Sequence, residues 1–253
     1  MTESISNSTI KIDASGLRYR DLNARLREAA SSGTEKIELR NVHGQRYIGT
    51  DLDGPLKIEI HGTPGNDLGA FLNGPSIIVQ GNAQDGCGNT MNDGEIIVHG
   101  HAGDIAGLSA RGGKIFIRDN AGYRAGIHMK EYQEKKPALV IGGTAQDFLG
   151  EYMAGGILLL LGLTLNPGEQ HQANFIGTGM HGGIIYLSGE VNDFQLGKEV
   201  SIAELEDTDH AILEGLVNEF SSHFNYSARE ILSRKFIKLF PRWLRPYGRL
   251  YAP

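Results

Sequence analysis

A single cysteine, Cys87, in 253 residues leaves no pair for an internal disulfide and no CxxC for a metal or redox centre. No apolar run approaches the ~20 residues of a membrane span, and the first residues, MTESISNSTIKID, lack an apolar stretch behind basic side chains. The expectation is a soluble cytoplasmic protein with no membrane role. Charge of one sign is also in short supply. A formal net charge of −6 argues against a nucleic-acid surface on the body of the chain. No Ser/His/Asp set, paired catalytic carboxylates or phosphate loop stands out. The many glycine spacings are not followed by the helix a nucleotide loop requires, so the expected catalytic, cofactor-binding and metal-binding residues are none.

Glycine is what the chain has in excess, 35 residues against a typical ~7%, and its placement is periodic. Residues 81–99 read GNAQDGCGNTMNDGEIIVH and residues 100–118 read GHAGDIAGLSARGGKIFIR, matching at an offset of 19. The middle glycine recurs at Gly49, Gly69, Gly88, Gly107, Gly126, Gly150 and Gly177. Three residues after each stands Leu52, Leu72, Met91, Ala110, Met129, Met153 or Met180, an apolar column suited to an interior. Each unit closes on a short apolar run rich in β-branched residues, such as Ser76 to Val79 or Glu95 to Val98, which reads as a strand.

One strand per unit, always travelling the same way, gives a solenoid whose coils bury their apolar faces against each other. The predicted fold is an all-β solenoid, a right-handed parallel β-helix of about seven coils. An α/β N-terminal cap precedes it and a C-terminal helical tail follows. A left-handed hexapeptide helix fits less well, because no aliphatic residue repeats every six positions. The divisions expected are 1–41 for the cap, 42–192 for the β-helix and 193–253 for a helical docking tail. Gly69, Gly88, Gly107, Gly126, Gly150 and Gly177 are the expected structural corners, where only glycine takes φ > 0 without steric cost.

Thr9 to Asp13 reads as a strand, Leu17 to Ala30 as a helix with Leu22, Leu26, Ala29 and Ala30 on one face, and Lys36 to Leu39 as a strand. Charged or turn-forming insertions interrupt the repeat at 130–140 and 164–173, the first places to seek a ligand or partner. In the tail, Asp209 is expected to cap one helix and Ser227 to open a second that runs to Pro241. Residues 229–249 mix basic side chains with aromatics, and Phe240, Trp243 and Tyr247 are the candidate interface.

Cys87 aligns with Leu68, Ala106, Ala125, Leu149 and Ile176, so it reads as a buried core position. The column Asn66, Asp85, Asp104, Tyr123, Asp147, Asn174 admits a cation ladder, but the favoured reading is corner stabilisation through Asx turns. Asp85 and Asp104 one coil apart should repel unless a donor lies between them.

The segments 81–85 (GNAQD), 100–104 (GHAGD) and 150–156 (GEYMAGG) resemble the GXGXG β-helix domain at the C-terminal end of the glutamate synthase large subunit. Leu149 stands where that family often has cysteine, and the tail from Asp209 through Pro241 is also similar. The β-helical component of formylmethanofuran dehydrogenase is a more distant resemblance. The first resemblance implies a non-catalytic structural subunit of an amidotransferase/oxidoreductase complex in nitrogen metabolism. Its implied partners are a glutaminase-type amidotransferase subunit and a glutamate synthase subunit with FMN and iron–sulfur clusters. This chain itself would bind no cofactor. An autonomous ligand-binding β-helix and a homo-oligomer stay open at this point.

Overall fold

The computed structural model describes residues 9–166 and 168–243. Its elements run β1 (Thr9–Asp13), α1 (Tyr19–Ser31), β2 (Lys36–His43), β3 (Lys57–Thr63), β4 (Asn73–Gln80), β5 (Asp93–Val98), β6 (Lys114–Ile117), β7 (Ala138–Ile141), β8 (Ala154–Leu160) and β9 (Gly182–Ser188). After a 3-10 turn at Asp193–Gln195 follow β10 (Val200–Ala203), α2 (Asp207–Phe224), α3 (Ala228–Leu232) and β11 (Phe236–Pro241). Strands β1 to β9 form one parallel ladder in sequence order. The fold is therefore a parallel β-solenoid with a single continuous sheet. Elsewhere the coils touch through isolated bridges such as Ala83 to Ala102 to Ala121.

The turn count is lower than the corners suggest. Seven corner glycines from Gly49 to Gly177 bound six full turns, about 29 Å of rod at ~4.8 Å per strand. The register keeps side chains in columns. Ile37, Ile58, Ile77, Ile96, Ile115, Leu139, Leu158 and Ile185 face inward in one row. They meet the Leu52-to-Met180 column and the Ile48, Leu68, Cys87, Ala106 column in one interior cluster. Leu22, Leu26 and Ala29 of α1 join the same cluster at the N-terminal end. There Asn23 donates to the Arg46 carbonyl at 2.8 Å.

The outward column changes character along the rod. It reads Glu38, Glu59, Ile78, Ile97, Phe116, Val140, Leu159, Tyr186. The two glutamates lie among Lys11, Lys36 and Arg40, forming ion pairs at 2.6–3.3 Å. From Ile97 onward the column is buried beneath α2, whose Leu213, Leu216, Val217 and Phe220 complete a second core with Ile231 of α3. The apolar face of α2 is thus spent on the chain's own sheet.

Two helical expectations change. Asp209 is the third residue of α2 and Glu206 precedes the helix; the Glu206 amide donates to the Asp209 carboxylate at 2.9 Å. The second helix ends at Leu232, and Phe236–Pro241 is a strand, antiparallel to both β9 and β10. Its alternation explains this: Leu239 and Ile237 turn to the interior cluster while Phe236 packs on the outer core. Period two wins over period 3.6 because β9 offers an unpaired edge.

The same substitution should have opposite signs at two glycines. A Cβ on Gly88, at φ 72°, would collide with Ile115 Cδ1, whereas Gly215 in α2 has nothing within 4 Å. Gly88→Ala is expected to destabilise by about 2 kcal/mol or more, and Gly215→Ala to stabilise by about 0.5–1 kcal/mol. Urea unfolding checks both, and equal shifts of one sign would contradict the coil packing.

Candidate interaction surfaces

Two kinds of glycine build the outer wall of the corners. The middle glycines Gly69, Gly88, Gly107, Gly126, Gly150 and Gly177 all have positive φ. Each admits an inward side chain of a following strand: Ile96 Cδ1 stands 2.6 Å from where a Gly69 Cβ would be, and Ile185 Cδ1 2.6 Å from that of Gly150. The second kind needs room and not a special φ. At Gly100, Gly103, Gly122 and Gly143 a Cβ would fall on Asn82 Oδ1, Asp85 Oδ1, Asp104 Oδ1 and Asn120 Oδ1 respectively. Those oxygens accept from the amide one residue further on, His101, Asp104, Tyr123 and Thr144, each at 2.9 Å. Asp147 does the same for Asn174 at 2.8 Å.

The Asx expectation is corrected by this geometry. The acceptors do not close their own turn; they reach one coil along and satisfy a backbone N–H that the thin sheet leaves unpaired. Asp85 and Asp104 have the required donor between them, the Asp104 amide. Among the described residues no group of three or more His, Cys, Asp or Glu is placed to hold a metal ion. Cys87 is fully buried, and burial pushes its thiol up to about 12.

Sequence reasoning missed a third feature. Two residues before and two after each middle glycine the backbone is again left-handed, and glycine occupies only two such sites, Gly86 and Gly179. The others carry side chains, including Tyr47, Phe71, Phe148, Tyr152 and Phe175 at φ 52–65°. An L-residue there costs about 1–2 kcal/mol. Stacking along the rod offsets part of it: Phe148 on Phe175 at 4.9 Å, Arg124 over Phe148 at 4.6 Å, and His128 on Tyr152 at 5.4 Å. Arg124 also pairs with Glu151. The signal lay in aromatics at fixed offsets from the periodic glycine.

Elsewhere, the insertion at 130–140 leans on the sheet through Lys135, which bonds Asp93 at 2.8 Å. Beside it lies a hollow of about 400 Å³ lined by Glu95, Gly113, Lys114 and Lys136. In the 164–173 insertion His171 is buried, its Nε2 2.9 Å from the Ser188 carbonyl, and burial pulls its pKa down. Of the tail aromatics, Phe240 is half-buried on β11 and Trp243 is exposed; Tyr247 lies outside the described residues.

One buried polar cluster joins the tail to the rod. Tyr186 donates to Asp209 Oδ1 at 2.5 Å, and Lys238 to Asp209 Oδ2 at 2.8 Å. Burial by itself would raise the Asp209 carboxyl, but the hydrogen bonds from Lys238, Tyr186 and Glu206 outweigh it and hold it below the usual carboxylate range. Burial and the neighbouring carboxylate push the Tyr186 phenol up. Through these bonds the cluster pins α2 to β9 and β11.

A single-sheet parallel β-solenoid with corners locked by side-chain acceptors set over glycines is the class of protein this geometry defines. The GXGXG motif family matches residues 32–245, and the chain belongs to it; this is the repeat type of the C-terminal domain of the glutamate synthase large subunit. An uncharacterized protein of Methanocaldococcus jannaschii is 47% identical over 252 residues, spanning 96% of this chain and 97% of that protein. No helix among the described residues is long and apolar enough to cross a membrane.

A carboxyl held below its unfolded value stabilises the fold above about pH 4, and that contribution is lost as pH falls through the folded value. Asp209→Asn, which leaves Lys238 without its counter-charge, is expected to cost about 3 kcal/mol at pH 7. Denaturant titrations should show the gap to the unsubstituted protein closing on acidification; a gap independent of pH would contradict the charged pin.

Proposed function

We propose that this chain is a non-catalytic structural subunit of a glutamate-synthase-like amidotransferase/oxidoreductase complex. The observation that carries the reading is membership of the GXGXG family over residues 32–245. In this reading a glutaminase-type subunit releases ammonia from glutamine, and a second subunit with FMN and iron–sulfur clusters uses it. The rod holds them at a fixed separation, since ammonia released near its acceptor site is consumed before it diffuses away.

The physical features of the rod support this role. Its interior is filled with side chains, and α2 covers the outer face of the sheet from β5 to β9. The corner wall carries half of the ten exposed large apolar side chains among the described residues, namely Tyr47, Phe71, Tyr123, Tyr152 and Phe175. Apolar side chains gathered on one face mark a place for other polypeptides.

Affinity purification of the natively expressed protein is expected to recover a glutaminase-type chain together with a flavin and iron–sulfur protein. Recovery of neither partner, or glutamine hydrolysis by the isolated chain, would overturn the reading.

A further inference from the structure

Residues 169–173 cross the last coil of the rod as a strap held by one ring and one amide. The His171 side chain is 2% exposed, and its Nε2 stands 2.9 Å from the Ser188 carbonyl oxygen at the end of β9. Gln195, also buried, sends Nε2 to the carbonyls of His171 and Ala173 at 2.8 and 2.9 Å, while its Oε1 accepts from the Asn192 amide at 2.9 Å. Beyond the ring, Ala173 belongs to the interior cluster. Gly162 leaves the room that the imidazole fills, since a Cβ there would fall 3.0 Å from His171 Cε1 and Nε2.

The bond to Ser188 fixes the state of the ring. A carbonyl oxygen only accepts, so Nε2 carries the hydrogen and Nδ1 is left as a bare acceptor. Nδ1 is buried and has no hydrogen-bond partner among the described residues. A second proton would put an unpaired N–H and a positive charge there, and both are costly out of water. No carboxylate stands against the ring to offset that charge: the histidines paired with carboxylates among the described residues are His61, His101 and His223. The charged groups on the surrounding elements are turned elsewhere. Arg234, a cation, bonds the carbonyls of Leu161 and Gly162 at 3.4 Å, and Glu190, two residues past Ser188, pairs with Lys235 at 2.9 Å. Glu169 of the strap accepts from the Asn166 amide at 3.0 Å, and Asp193, which opens the turn carrying Gln195, is exposed.

We propose that residues 169–173 form a proton-operated strap: neutral His171 clips them to β9, and protonation of the ring releases them. Burial sets the sign, because it pulls the His171 pKa below the ordinary value. Below about pH 6.5, the ordinary histidine value, the released strap takes up the proton and the docked strap does not, so docking weakens as pH falls. Release withdraws Ala173 from the interior and frees the Gln195 side chain at the last coil. The ladder from β1 to β9 is untouched, and the device stands independently of the scaffold reading.

The test is NMR-detected hydrogen exchange on the full chain at pH 7.5 and 5.5, corrected for intrinsic exchange rates. The Gln195 side-chain amide hydrogens, which bond the strap directly, are the reporters. Their protection is expected to fall severalfold at the lower pH, toward a limit of about tenfold for a group titrating near pH 6.5. Backbone amides of β6 and β7 are expected to keep theirs. His171→Gln retains a donor for the Ser188 carbonyl and takes up no proton, so its Gln195 protection should be equal at the two values. Should that variant leave the strap undocked throughout, the ring nitrogen shifts of the unsubstituted protein decide: docked His171 is expected to remain neutral, with its hydrogen on Nε2, at the pH where a free histidine is half charged. Gln195 protection indifferent to pH, a loss shared equally by β6 and β7, a His171→Gln strap that still loosens on acidification, or a docked His171 that is charged at that pH would each overturn the proposal.

Discussion

Everything in this molecule follows from the distance between one coil and the next. Neighbouring strands sit about 4.8 Å apart, which leaves no room at the corners for both a Cβ and the group that must cross from the adjacent coil. Glycine resolves the conflict in two ways. At Gly88 it lets a strand side chain press on the corner backbone, and at Gly103 it clears the space that Asp85 Oδ1 occupies on its way to the Asp104 amide. The glycine-rich motif is thus a record of contacts made with the neighbouring coil.

The second constraint is the sheet's two faces. Its inner face meets the corners and is apolar throughout. Its outer face is charged where Glu38 and Glu59 stand and apolar from Ile97 to Tyr186, because α2 folds back on only that part. The Tyr186, Asp209 and Lys238 cluster fixes where the helix begins. One rod therefore has an ionic sector, a helix-covered sector and an aromatic wall, and its surfaces are not interchangeable.

Much of this is legible in the sequence. The offset of 19, the apolar columns and the buried place of Cys87 can all be read from spacing. Counting corners overstates the number of turns, since corners bound turns and seven corners enclose six. The Asp and Asn column points to local turns because turn rules see only near neighbours, whereas its partners lie one coil along. Residues 236–241 look helical as an extension of Ser227 to Leu232; only the free edge of β9 decides for a strand. The docking of α2 is visible in the outward column once it is followed from Glu38 to Tyr186. The aromatics of the wall escape notice because left-handed backbone is ordinarily sought at glycine and asparagine.

The rigidity of the rod rests on backbone amides held by side chains of the preceding coil. Hydrogen exchange at single-residue resolution tests this most directly. The amides of His101, Asp104, Tyr123 and Thr144, which sit in segments without regular strand, should exchange as slowly as those of Ile97 and Phe116 in the sheet. Exchange at the rate of an open loop, with the strands still protected, would contradict the coil-to-coil ladder on which the account stands.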